Sequence, residues 1–175
     1  MNAQTLMPDH GAPARLVVPG WYGCCCIKWV QEIGVAPEDA PSTSQMREYA
    51  SRTHQKGIPR LAREYEPATI DPAAMPIRVE KWIVQGRPRY RVIGVAWGGN
   101  GRIRRLEMQL NANQAYSPVE LIHMPRLGPL TFWRYLWVPE STGLYRIRLR
   151  LADSNVRARR LDTGYYTRSV NIENF

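Results

Sequence analysis

The sequence predicts a mainly β protein whose residues 75–175 build a β-sandwich. Three observations carry this. Short strand-like runs recur from Met75-Pro76 onward with turn residues between them, the alternation of apolar and polar side chains has period two, and no long helical period interrupts it. The first run is 77–84, closed by Gly86-Arg87-Pro88, and 89–97 follows it. Gly98-Gly99-Asn100-Gly101 then makes a turn in which several residues can take positive φ. In 103–110, Leu106, Met108 and Leu110 face one way and Arg105, Glu107 and Gln109 the other. Runs at 119–123 and 132–138 come next. In 145–151, Tyr145, Ile147, Leu149 and Leu151 alternate with Arg146, Arg148 and Arg150, and 167–172 completes a set of about seven strands. Trp97, Trp133 and Trp137 are expected in the core.

Residues 1–74 read differently. Leu16-Val17-Val18 predicts a short buried strand, and Pro19-Gly20 and Gly23 predict turns after it. Ser42-Thr43-Ser44 predicts the cap of a short helix running to Arg52, and residues 60–66 a further turn or two between Pro59 and Pro67. The rest is irregular, in keeping with a chain of 14 prolines, and this region buries little by itself.

Composition narrows the function classes. With 44% hydrophobic and 22% charged residues the chain is globular rather than disordered. Its net charge is +9, and apart from Lys28, Lys56 and Lys81 every basic residue is arginine, which favours bidentate recognition of oxyanions. A nucleic-acid binder would carry such charge in a run or patch, whereas these arginines alternate with apolar residues as on the solvated face of a strand. No apolar run reaches the roughly 20 residues of a membrane span, and residues 1–20 have no secretory-signal pattern. The 3 cysteines are adjacent, Cys24-Cys25-Cys26, a spacing unlike a disulfide framework or a zinc site; buried inert thiols on a turn are the plainer reading beside a redox or metal role. There is no nucleophile elbow, phosphate loop or His-Glu-x-x-His motif. His54 and His123 have no companion in ligand spacing, and Arg102 in the glycine-rich turn is a weak candidate for an oxyanion.

The sharpest local signal is an anion clamp. His10 and Arg15 precede the apolar run and Lys28 follows the glycine turn, so imidazole, guanidinium and ammonium can converge beside backbone amides. Each alone has an ordinary reading: a loop histidine, an arginine paired with Asp9 or Glu32, an exposed lysine. Tyr49 has two open readings, a substrate-facing phenol or a helical residue packed at i, i+3 on Met46.

The residues Met1-Asn2, Leu6, His10-Gly11, Pro13, Arg15, Pro19-Gly20, Gly23 and Lys28-Trp29 follow a pattern of the sulfite oxidase family of molybdopterin-dependent oxidoreductases, which this chain resembles over nearly its whole length. The resemblance implies that His10, Arg15 and Lys28 bind the molybdenum-molybdopterin (Mo-pyranopterin) cofactor, with Cys26 and Ile27 supplying neighbouring backbone. It implies that Tyr49, in Arg47-Glu48-Tyr49, lies in the oxyanion substrate pocket as the catalytic candidate. Gly94 to Arg102, Trp133-Arg134-Tyr135-Leu136-Trp137 and Ala152-Asp153-Ser154 resemble the family's dimerisation domain. The expected organisation is therefore a partial α+β molybdopterin-binding segment, residues 1–74, followed by an immunoglobulin-like sandwich, residues 75–175. Residues 111–117 depart from the family's usual turn, so hairpin length or register is expected to differ there.

The implied activity is oxygen transfer to sulfite or a related oxyanion or sulfur compound, with electrons passing to an external acceptor. No protein ligand for molybdenum is identified among these residues, because the family's cysteine belongs to a segment upstream of the matched motif; a longer parent, or a separate N-terminal cofactor-domain half as partner, is the expectation. A homodimer through the sandwich is expected, with no membrane span and no nucleic acid, and the compartment is left open. The alternative is a non-catalytic dimerisation or partner-binding fragment.

Overall fold

The computed structural model describes residues 4–99, 102–124, 130–152 and 157–173. The chain divides into two compact units, residues 1–70 and 71–175.

In the second unit each expected strand forms, the run expected at 103–110 only over Leu106–Leu110. The strands are β1 (Ala73–Val84), β2 (Arg87–Trp97), β3 (Leu106–Leu110), β4 (Ser117–Pro118), β5 (Glu120–His123), β6 (Thr131–Trp137), β7 (Gly143–Leu151) and β8 (Arg168–Ile172). They form two antiparallel four-stranded sheets, ordered β1-β2-β6-β5 and β4-β3-β7-β8. The fold is thus the predicted β-sandwich, with the two-residue β4 as an addition. Asn100 and Gly101 of the glycine turn, Asp153 and Ser154, and Met1 and Asn2 lie outside the described residues.

Local chemistry explains the borders. Gln85 and Gly86, at φ 50 and 74, make the two-residue turn that lets Val84 pair with Arg87, so β2 begins earlier than residue 89. Pro76 has no N–H to give a ladder, and the β1–β2 register shifts between Pro76 and Arg78. The unforeseen α2 (Arg159–Asp162) is four residues long, too short to show a helical period. In the departing stretch after β3, Asn111 sits at φ 71 and its side-chain oxygen accepts from the Arg146 N–H at 2.8 Å. Gln109, expected on the outer face, is instead buried, because its amide is used locally: it donates to the Gln114 carbonyl at 2.8 Å.

The core is the contact of the two inner faces. Val92, Leu106, Met108, Trp133 and Ile147 are almost fully buried in it, joined by Tyr90, Trp137 and Tyr145. Tyr145, near the start of β7, donates to the Ser141 carbonyl at 2.9 Å, a bond of the tyrosine-corner kind found in immunoglobulin-like sandwiches. On the outer faces three arginines are paired across strands: Arg91 with Glu80, Arg134 with Glu120 and Arg150 with Glu107, each directly opposite its partner in the register. This is a ladder of solvated ion pairs rather than a phosphate-binding stripe.

Gly94 of β2 lies under the Trp133 indole, and a Cβ there would collide with Trp133 Cζ2 and with the Met75 carbonyl. Both obstacles are fixed, the ring by burial and the oxygen by backbone. Gly94→Ala is therefore expected to cost about 3 kcal/mol, at the upper end for overpacking, read as a lower urea midpoint at unchanged m-value.

Candidate functional site

The first unit is held together by backbone and caps more than by a core. Its buried hydrophobic residues are Ala50 and Ala68, whereas Leu16, Val17, Ile27, Trp29, Ile33, Val35 and Ile58 are exposed. The buried strand expected at Leu16-Val17-Val18 does not form: Leu16 is 41% and Val17 53% exposed, and the segment belongs to no named strand. Prolines 13 and 19 remove two ladder donors, leaving only Leu16 N to Ile27 O at 2.9 Å and Val30 N to Ala14 O at 3.0 Å to tie 14–16 to 27–30. The helix expected from residue 44 to 52 is shorter, α1 (Ser44–Tyr49), capped by Thr43 Oγ1, which accepts from the Met46 N–H at 3.2 Å. The expected turn in 60–66 is a single 3-10 turn, Ala62–Glu64, whose Glu64 carboxylate caps the Arg60 and Leu61 amides, and these bonds hold its acid below the usual range.

His10 ends a 3-10 turn, Pro8–His10, and Gly11 follows at φ 106. Arg15 Nη1 donates to the His10 carbonyl at 3.4 Å, Lys28 Nζ to the Asp9 carbonyl at 2.6 Å, and Trp29 Nε1 to the Pro8 carbonyl at 2.8 Å. Arg15 and Lys28 thus both reach backbone carbonyls of the turn that carries His10. Gly11 makes this possible: a Cβ on it would stand 3.0 Å from Lys28 Cβ and 3.1 Å from Lys28 Cα, in a left-handed conformation that side chains resist. Arg15 Nε is buried without a hydrogen-bond partner among the described residues. Cys26 and Ile27 continue the same ribbon, Cys26 donating its amide to the Gly23 carbonyl at 3.0 Å while the Ile27 carbonyl takes the Leu16 amide.

Beyond the ribbon is a cavity of about 340 Å³, lined by Leu16, Val18, Ile27, Met46, Tyr49 and the thiols of Cys24 and Cys25, among others. Met46 and Tyr49 both line it from α1. The Arg52 guanidinium lies over the Tyr49 ring, 5.2 Å from its centroid. Sequence reasoning missed Tyr65, whose hydroxyl is 2.8 Å from Thr53 Oγ1 and 3.9 Å from Cys25 Sγ; nothing in its neighbourhood of the sequence marks it. Burial raises the Cys24 and Tyr65 acids above their ordinary values, and for Cys24 the neighbouring Cys25 thiol adds to it. Cys24 is thus a protonated thiol at neutral pH, not a primed nucleophile. Among the described residues no group of three or more His, Cys, Asp or Glu side chains could hold a metal ion. Arg102 is exposed on the second unit, and His123 Nδ1 meets Thr131 Oγ1 at 3.3 Å.

This arrangement of a donor-rich turn beside a mainly apolar cavity suits a large ligand with an anionic end. Residues 1–44 match the family model described as oxidoreductase molybdopterin binding domain. Over 156 residues the chain is 30% identical to sulfite oxidase of Gallus gallus, an alignment covering 82% of this chain and 32% of the chicken protein. It is 32% identical over 140 residues to the NADPH nitrate reductase of Beauveria bassiana, covering 71% of this chain and 15% of that protein. The sulfane dehydrogenase SoxCD from Paracoccus pantotrophus shares the fold, with a TM-score of 0.58 at 22% identity over 97% of this chain and 48% of that one. The chain belongs to the sulfite oxidase family of molybdopterin-dependent oxidoreductases. It spans about a third of the length of the chicken relative. No helix among the described residues is long and apolar enough to cross a membrane.

A raised thiol pKa sets a measurable profile. Alkylation proceeds through the thiolate, so iodoacetamide is expected to modify Cys24 slowly at pH 7.5, with a rate that climbs to a midpoint above the ordinary value of 9.0. Peptide mass mapping across a pH series reads it. A folded-state pKa above the unfolded one also means that this contribution to stability is complete below 9.0 and is lost as pH rises through the shifted value.

Proposed function

We propose that this chain forms part of a sulfite-oxidase-type enzyme in which residues 1–70 hold one side of the molybdopterin and residues 71–175 form the dimerising sandwich. The observation that carries the cofactor reading is the turn at 8–11: Arg15 keeps a buried N–H unused while its guanidinium and the Lys28 ammonium bond only to carbonyls. A phosphate oxygen is a better acceptor than either carbonyl, because a bond between ions is shorter and stronger. The residues therefore fit the group. Arg15 and Lys28 take the pterin's phosphate, His10 supplies an exposed imidazole to its ring, and the backbone of Cys26 and Ile27 flanks it.

When bound, the molybdenum cofactor supplies two-electron redox chemistry and oxygen transfer, here to sulfite or a related sulfur compound or oxyanion, with electrons leaving to an external acceptor. The chain's own residues orient and shield. Tyr49 presents its hydroxyl to substrate from α1, Arg52 behind its ring adds positive potential, and the apolar wall of Leu16, Val18 and Ile27 limits water beside it. The exposed apolar side chains of this unit, Leu16 to Val35, are the surface on which a further half of the cofactor domain, carried on another stretch of polypeptide, would pack.

The test is metal and pterin analysis of the protein produced together with a cofactor-domain half in a molybdenum-replete host. Wild type is expected to carry both. Arg15→Gln is expected to lower pterin occupancy roughly 10-fold or more, the worth of one hydrogen bond to a charged group, read by pterin fluorescence and by mass spectrometry of molybdenum. Wild type with neither metal nor pterin would overturn the reading. In the loaded enzyme, Tyr49→Phe should leave molybdenum content intact and reduce kcat/KM for sulfite by about 10-fold, the loss of one substrate hydrogen bond; an unchanged kcat/KM removes Tyr49 from the site.

A further inference from the structure

The sandwich has an opening that the cofactor chemistry does not use. At the end of β6 the rim of the core opens into a cleft of about 350 Å³, lined by Met108, Leu110, Tyr135, Trp137 and Tyr145 among others. Its walls are aromatic. Trp137 and Tyr145 meet edge to face with centroids 4.6 Å apart at 71°, and Tyr90 backs Trp137 at 5.5 Å, so these rings cannot swing to fill the space. Tyr145 is further fixed through its hydroxyl to Ser141.

The polar groups around these walls are uncommitted. The side chains of Gln114, Ser117, Tyr135 and Glu140 line the cleft, and none of them makes a hydrogen bond or ion pair among the described residues. All four offer acceptor oxygens, and one is a carboxylate. The charge is as telling as the shape. The chain carries 24 basic and 15 acidic residues, yet the one charged residue lining this cleft is acidic. In a protein that elsewhere presents arginine outward, this cleft carries a charge of the opposite sign.

We propose that the cleft binds a small organic cation, a guanidinium or primary ammonium group on a short apolar stem. The carboxylate of Glu140 meets the charge, Gln114, Ser117 and Tyr135 accept its N–H donors, and the stem lies against Trp137 and Tyr145. Aromatic walls add to the attraction because a ring's face is negative. A quaternary ammonium would leave the acceptors idle, and a phosphate or sulfate, though able to accept from Gln114, Ser117 and Tyr135, would be repelled by the Glu140 carboxylate. The size is at the lower end for small-molecule sites, which matches a ligand of this kind. The site is independent of the molybdopterin reading: it lies wholly within residues 71–175 and its occupant is neither a sulfur compound nor an oxyanion.

The experiment is titration of the full chain with agmatine, by calorimetry and by NMR of the tryptophan indole N–H signals. Binding with a dissociation constant at or below about 1 mM, with a shift at the Trp137 indole, is expected. Glu140→Gln, at an exposed position where folding is not at stake, should weaken it at least 10-fold, and Tyr135→Phe by roughly 3-fold to 10-fold, the worth of one hydrogen bond. Maltose and inorganic sulfate at the same concentrations should give no shift at Trp137. Absence of agmatine binding at about 10 mM, or binding that Glu140→Gln leaves unchanged, overturns the proposal; maltose binding as tightly as agmatine overturns it in favour of a neutral polyol site. The same titration on apo protein and on protein loaded with molybdopterin should give the same constant, so loss of the cofactor reading would not touch this result.

Discussion

The seat of Trp133 on Gly94 is the constraint on which the sandwich depends. Trp133 is completely buried, and its indole N–H donates to the Val95 carbonyl at 3.1 Å, so the largest side chain in the core is held flat on the neighbouring strand. A residue without Cβ is the only one that admits a ring at that distance. From this contact the first sheet takes its register: Gly94 opposite Trp133, Val92 opposite Tyr135, Tyr90 opposite Trp137. The inward aromatic row of β6 therefore meets Met108 and Ile147 from the second sheet. Outer-face ion pairs need only follow, since a period of two places their partners once the inner face is set.

The first unit is organised by a different force. With alanines as its buried hydrophobics it has little apolar burial to order it, and the ordering falls to directed bonds. Ser42 shows how: buried, it donates its hydroxyl to the Pro59 carbonyl at 2.7 Å and its amide to the Arg60 carbonyl at 2.9 Å, while Arg47 donates back to the Ser42 carbonyl. Gln45 likewise reaches the Cys24 carbonyl, joining α1 to the cysteine turn. A surface organised by hydrogen bonds can leave leucine, isoleucine and tryptophan outward, which is the condition for a large ligand or another polypeptide to cover them. Among the described residues this unit leaves the Arg15 Nε–H buried and unpaired.

Much of this was legible in advance, and the misses share a cause. The strands of the second unit follow from alternation, since each has one wet and one dry face and pleating does the rest. His10, Arg15 and Lys28 were legible as a set because turns at Gly11 and Gly20 bring residues close in sequence close in space. Leu16-Val17-Val18 misled because apolar residues without a ladder partner are not a strand: prolines 13 and 19 deny the donors, Leu16 and Val18 line a cavity, and Val17 is exposed. Gln109 misled in the opposite direction, because alternation assigns a face and cannot see a local amide partner. Tyr65 was invisible, since the Thr53 and Cys25 groups around it come from 12 and 40 residues away.

What the sequence by itself determined is the strand set of the second unit and the family resemblance, because each rests on neighbours within a few residues or on a period-two pattern. Tertiary structure decided the cavity beside Tyr49, the close packing of Trp133 on Gly94 and the acidic aromatic cleft at the end of β6. Those depend on which strands lie side by side and where two sheets part. A chain's order does not state that, since burial and spacing across elements are set only when the elements meet.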